Sequence, residues 1–183
     1  MQSFTTNLNL VASAGAVVGQ LYAAAITLLW FYRHFVRESA FIDRLFARLG
    51  FIGVTSAFLV ALLGLVISLV YSNVIGYAPC TLCWYQRVFL YPQVFILGAA
   101  LCKKAGDARF YCLILSAIGG AIAAYHYYGQ SFNTSVLPAC AATGASCAAR
   151  YFVEFGYVTL PLMSLTAFIL IIVSLLLAKR GAF

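Results

Sequence analysis

A chain of 183 residues that is 64% hydrophobic and only 8% charged is not a soluble globular domain, in which about a quarter of the residues carry charge. Its net charge of +7 does not point to nucleic acid, because the basic residues sit in short clusters between apolar runs, as a membrane topology signal does. The class that remains is an integral membrane protein with lipid around it.

The first apolar run covers residues 10–32, and nothing charged precedes Arg33. A secretory signal peptide needs a basic leading region, and this run is long enough to span a bilayer at about 1.5 Å per residue. It reads as a retained membrane helix with its N-terminus outside. Gly15, Gly19 and Ala23 form a small-residue row at four-residue spacing. Such a row suits close helix packing, and it also arises by chance in an alanine-rich span.

Residues 33–48 change character. Arg33, Arg37, Arg44 and Arg48 fall within about 60° on a helical wheel, opposite Phe35, Ile42, Leu45, Phe46 and Leu49. This predicts an amphipathic cytoplasmic connection lying on lipid headgroups, with a solvated linker as the alternative. The expected organisation is an extra N-terminal unit over 1–49 and a main unit over 50–183.

The second span is expected over 50–72, with a small-residue row at Gly53, Ala57 and Ala61, and a short outer loop leads to Pro79. The third covers Thr81 to Cys102 and contains Pro92, which removes one backbone hydrogen bond and predicts a bend. Lys103, Lys104 and Arg109 mark the next turn as cytoplasmic. The fourth span, 110–128, ends in Tyr125-His126-Tyr127-Tyr128, an aromatic belt at the outer surface. Residues 129–157 form the longest non-spanning stretch and hold Cys140 and Cys147, and a fifth span over 158–178 is closed by Lys179-Arg180. The inner segments carry four, three and two of the basic residues, nine of eleven. The positive-inside rule then sets the N-terminus and both cysteine pairs outside and the C-terminus inside. The fold class is an all-α membrane protein, an antiparallel four-helix transmembrane bundle with one additional N-terminal helix.

The chemistry concentrates in Pro79-Cys80-Thr81-Leu82-Cys83-Trp84-Tyr85-Gln86-Arg87. At about 100° per residue, Cys80, Cys83 and Arg87 share one narrow stripe. Pro79 marks a helix boundary, and Thr81 is the expected N-cap, with Cys83 in the first turn. Free backbone N–H groups and the positive end of the helix dipole there favour a thiolate. An oxidising compartment permits disulfides within Cys80/Cys83 and within Cys140/Cys147. Each would close only a small ring, which fits exchange chemistry better than reinforcement. A four-cysteine zinc site competes, but C-x₂-C followed at long range by C-x₆-C is an uncommon pattern for one. Cys102 and Cys112 read as free core thiols. Arg87 either snorkels to headgroups or binds an electron acceptor beside Cys83. His126 either joins that site or stays in the belt, and Glu154 is expected to pair with Arg150 four residues away.

Cys80-Thr81-Leu82-Cys83-Trp84-Tyr85-Gln86-Arg87 resembles the C-x-L-C-[WI]-Y-[QE]-R signature of the DsbB and BdbC disulfide-formation proteins. Tyr125-His126-Tyr127-Tyr128 resembles the stretch closing the next family helix, and Phe155 to Pro161 the segment leading into the last one. The resemblance implies a thiol oxidase of the bacterial inner membrane. A DsbA/BdbD-like thioredoxin-fold partner attacks Cys140, and electrons pass from Cys140/Cys147 to Cys80/Cys83. They end on a membrane quinone, ubiquinone or menaquinone, held near Arg87 and His126. The family core has four spans, so the first helix is extra, and the closely spaced second pair follows the BdbC-like branch. A vitamin K epoxide reductase-like oxidase is the rival within enzymes, though that family carries its CxxC late. A metal-handling protein using four outer thiols is the rival outside them.

Overall fold

The computed structural model describes residues 2–35, 40–103, 107–138 and 145–178. Arg37, Lys104, Cys140, Lys179 and Arg180 lie outside the described residues. The described residues form five long helices: α1 (Gln2–Phe35), α2 (Ala40–Leu69), α3 (Thr81–Lys103), α4 (Ala108–Ser131) and α5 (Leu160–Leu177). α2 runs on into a π-helical segment, Val70–Val74, and a 3-10 turn, Thr134–Val136, follows α4. Among the described residues the only β-type pairing is an isolated bridge between Glu154 and Val158. Its turn uses left-handed backbone at Phe155 and Gly156.

Among the described residues four segments are long and apolar enough to cross a membrane: Gln2–Tyr32, Ile52–Val74, Ala108–Ser131 and Leu160–Leu177. The sequence predicts five. The missing one is α3, whose 23 residues equal the length of Ile52–Val74 but include Gln86, Arg87 and Gln93. Gln86 and Gln93 are buried, so α3 turns polar groups toward its neighbours, and composition alone undervalues it. The expected surface connection over 33–48 also differs. Residues 40–49 are the first turns of α2, and Ile42 and Phe46 pack with Ile26 of α1 and Val173 and Leu177 of α5. No proline separates these turns from the span that follows, so the helix simply continues.

α2 and α4 each pack against both α3 and α5, and α1 lies mainly on α5. The core draws Val54, Ala57 and Ala61 from α2, Leu90, Val94 and Leu97 from α3, Cys112 and Ala123 from α4, and Phe168, Ile171 and Leu175 from α5. Lipid is as apolar as leucine, so close van der Waals packing and buried polar links hold such helices together. The small-residue row of α2 meets this need, with Ala57 and Ala61 fully buried. Ser116 of α4 donates to Gln93 Oε1 of α3 at 2.9 Å, and Gln93 Nε2 donates to the Phe89 carbonyl at 2.8 Å. Arg109 donates to the carbonyls of Ala178 and Leu176 at 3.1 and 3.3 Å. Those oxygens at the end of α5 have no intrahelical partner, so a residue read as a topology signal also acts as a helix cap.

Gly119 of α4 faces the ring of buried Phe168, whose atoms would lie 2.4–3.0 Å from an added Cβ. Gly119→Ala is therefore expected to destabilise the protein by about 1–3 kcal/mol, the range for overpacking a filled core. Thermal unfolding in detergent should show the loss as a lower midpoint.

Candidate functional site

Gly76, in left-handed backbone at φ +87°, turns the chain from the π-helical segment toward Pro79. α3 begins at Thr81, and its N-cap is Cys80, not Thr81. The backbone N–H of Cys83 donates to Cys80 Sγ at 3.4 Å, and that of Trp84 to the Cys80 carbonyl at 3.0 Å. A side chain reaching the third helical N–H is the geometry of an N-cap, and here sulfur supplies the acceptor. Cys80 Sγ in turn donates to Cys83 Sγ at 3.1 Å. That donation and burial push the Cys80 thiol up to about 12.

His126, from α4, is buried beneath the pair, with Nε2 3.9 Å from Cys80 Sγ. One tautomer satisfies its contacts. Gln86 Nε2 donates to Nδ1 at 3.1 Å, and Nε2–H donates to the Cys147 carbonyl at 3.0 Å. The imidazole is thus wedged between the CxxC and the second cysteine. Cys147 is buried in one cluster with Cys80 and Leu82. Three side chains fasten the segment around it. Gln130 Nε2 donates to the Ala149 carbonyl at 2.9 Å, and Arg150 Nε donates to the Gln130 carbonyl at 3.1 Å. Tyr151 donates to the Ala78 carbonyl at 2.7 Å and stacks on Tyr77 with ring centroids 4.4 Å apart. Arg150 thus serves Gln130 and not Glu154. Residues 150–154 are not helical, so a four-residue spacing does not bring those two side chains together.

On the other side of Cys83 lies a cavity of about 350 Å³, with Gln86 and Arg87 in its wall beside Cys83. His126 is not among the lining residues; it meets the thiols instead. Arg87 Nη2 donates to the Ser68 carbonyl at 3.1 Å, and the guanidinium lies 5.2 Å from the Trp84 ring centroid. Among the described residues its other N–H donors meet no acceptor. Tyr71 also lines the cavity, buried and with no hydrogen-bond partner for its hydroxyl among the described residues. It belongs to the π-helical segment, a local irregularity that recurs at functional sites.

Of the residues singled out in the sequence, Cys80, Cys83, Cys147 and His126 come together, and Arg87 joins Cys83 at the cavity. Cys140 lies outside the described residues. Cys112 is a core thiol as expected, but Cys102 is exposed, because it lies on the opposite face of α3 from buried Leu97 and Ala100. Gln86, Gln130, Tyr71 and Tyr151 were not foreseen. Gln86 alone carried a signal, a polar residue inside the cysteine motif one turn beyond Cys83.

Comparison with known proteins gives the lineage. Residues 52–178 match the family model described as "Disulfide bond formation protein DsbB". The chain is 40% identical over 126 residues to "Probable disulfide formation protein C" of Halalkalibacterium halodurans, covering 68% of this chain and 90% of that protein. It is 38% identical over 125 residues to "Disulfide bond formation protein C" of Bacillus subtilis strain 168, with the same coverage of each. Over 114 residues it is 44% identical to the "SPbeta prophage-derived disulfide bond formation protein B" of that strain, covering 62% of this chain and 76% of the other. No solved structure matches. The chain belongs to the DsbB family of disulfide bond formation proteins.

Proposed function

We propose that the chain is a membrane thiol oxidase that reoxidises a DsbA/BdbD-like thioredoxin-fold protein outside the cytoplasmic membrane and passes the electrons to a membrane quinone. One observation carries the reading. Cys83 stands between Cys80 and Cys147 on one side and an apolar cavity with an arginine on the other. The topology that goes with it has α3 completing an antiparallel bundle with α2, α4 and α5, with the N-terminus and both cysteine pairs outside.

The residues fit a quinone. The cavity is about 350 Å³, within the range of small-molecule sites. Arg87 and the unpartnered Tyr71 hydroxyl are donors suited to carbonyl oxygens, and the rest of the wall is mostly apolar. When bound there, a quinone accepts the two electrons and two protons released as the Cys80/Cys83 dithiol closes to a disulfide.

The chain's own residues perform the steps before that. A thiolate of the reduced partner attacks the Cys140–Cys147 disulfide at Cys140, releasing Cys147. The partner's second thiol resolves the mixed disulfide, so the partner leaves oxidised and both loop cysteines are thiols. Burial of Cys147 supports attack at Cys140, since a protein partner has little access to the inner sulfur. The loop dithiol then reduces the Cys80–Cys83 disulfide through a mixed disulfide of its own. His126 bonds the Cys147 carbonyl and lies against Cys80, so it holds the second pair beside the first for this exchange.

The test is quinone reduction followed by absorbance, using purified full-length protein and a reduced thioredoxin-fold dithiol. Turnover is expected, and its absence with both ubiquinone and menaquinone analogues would overturn the reading. Arg87→Ala should raise KM for the quinone about ten- to a hundredfold, because hydrogen bonds from a charged donor contribute about 1.5–3 kcal/mol. Metal handling has one observation in its favour: Cys80 Sγ, Cys83 Sγ and an imidazole nitrogen of His126 lie within 4.8 Å of one another. It predicts stoichiometric zinc after purification, lost alike in Cys83→Ala and Cys147→Ala.

A further inference from the structure

α1 precedes the residues matched by the family model, yet Val11, Ala12, Gly15 and Ala16 form part of the wall of the cavity that holds Cys83 and Arg87. One turn further along, α1 is docked tightly on α5. A Cβ at Gly19 would lie 2.7 Å from Leu170, and Ala23 is buried. Gln20 Nε2 donates to Thr166 at 3.1 Å, and Tyr157 donates to Gln20 Oε1 at 2.9 Å. Gly15 differs from Gly19, although both belong to the same small-residue row. A Cβ at Gly15 would meet nothing within 4 Å. The opposite face of α1 exposes Leu21 and Leu28, as a lipid-facing stripe does. The helix therefore has a docked stretch, a lipid face, and a short stretch at the cavity wall where exposed Gly15 leaves open space.

We propose that α1 is the lipid-side wall of the acceptor cavity and that Gly15 sets the size of the quinone ring admitted there. This rests on the acceptor reading above. Without α1 the space beside Cys83 and Arg87 loses the wall those four residues supply. With α1 the volume is bounded at about 350 Å³, roughly twice the engineered cavity of about 150 Å³ that takes benzene. A substituted ring fits, and an isoprenoid tail must leave between helices. Water held away from Cys83 and Arg87 also strengthens their electrostatic interactions with whatever sits between them.

The test is a graded series, Gly15→Ala, Gly15→Leu and Gly15→Trp, in the full-length chain. For each variant, KM and kcat are measured with a short-chain benzoquinone, together with the stoichiometric oxidation of a reduced thioredoxin-fold dithiol in the absence of quinone. KM should rise with side-chain volume, reaching about tenfold or more at Leu, since overfilling a packed space costs about 1–3 kcal/mol. The quinone-free oxidation should not change, and its persistence shows that the variants are folded. Leu28→Trp, on the lipid-facing side away from the cavity, should alter neither. A KM that stays flat across the series, in a protein that does reduce quinone, overturns the wall. Failure of the unaltered chain to reduce any quinone overturns the acceptor reading instead.

Discussion

Cys83→Ala is expected to abolish quinone reduction, by at least about a thousandfold, whatever dithiol supplies the electrons. Loss of a covalent nucleophile typically costs more than that, and among the described residues Cys83 is the one thiol that lines the cavity. Cys147→Ala should behave differently. A thioredoxin-fold donor loses its route, but a small-molecule dithiol, able to attack the Cys80–Cys83 disulfide directly, still drives quinone reduction. Absorbance traces with both donors for both variants separate the two thiol pairs by position along the relay. Equal loss in both variants with the small donor would mean that Cys83 has no privileged access to the acceptor.

The second large effect concerns pH. In the reduced protein the Cys80 thiol is pushed up to about 12 by its donation to Cys83 and by burial. At pH 8 an ordinary thiol of pKa about 8.5 is roughly a quarter thiolate, whereas one at about 12 is thiolate in about one molecule in ten thousand. Only the thiolate reacts with an alkylating agent. Iodoacetamide should therefore label Cys80 about a thousandfold more slowly than the same cysteine in the unfolded chain, before any steric protection. The direction of the pH dependence follows. A raised pKa keeps the proton on, so the Cys80 rate should climb about tenfold per pH unit up to about pH 11. In the unfolded chain the rate levels off above about pH 9. Peptide mass spectrometry of the labelled protein reads both, and matching rates at pH 8 would contradict the sulfur-to-sulfur donation.

Short-range periodicity made part of this site legible. Cys80, Cys83 and Arg87 are seven residues apart at most, so helical phase alone put them on one stripe. The structure keeps that relation while changing the cap, because Cys80 sulfur reaches the Cys83 N–H that Thr81 was expected to satisfy. Contacts between distant segments were not legible. Gln86 meets His126 forty residues on, and Tyr151 reaches back 73 residues to Ala78. No local pattern encodes such a pairing. The row Gly15, Gly19 and Ala23 shows the same limit within one helix. Spacing revealed the row, but only packing shows that Gly19 meets α5 while Gly15 meets open space. The hydropathy signal likewise marks four helices and passes over α3, because the polar residues that line the site lower it.

The fastening of the segment around Cys147, by Gln130, Arg150 and Tyr151, has a kinetic consequence. A sulfur held against the CxxC in this way is a tethered reactant and not a solute. Short flexible tethers already give effective concentrations of about millimolar, and well-oriented groups reach about 10⁵–10⁸ M. Docking of two proteins proceeds at only about 10⁵–10⁷ M⁻¹s⁻¹. Transfer between the two pairs should therefore outrun arrival of the partner. On the proposed relay, throughput is then governed by how much reduced partner is present, and the protein works as a drain whose flow follows its supply.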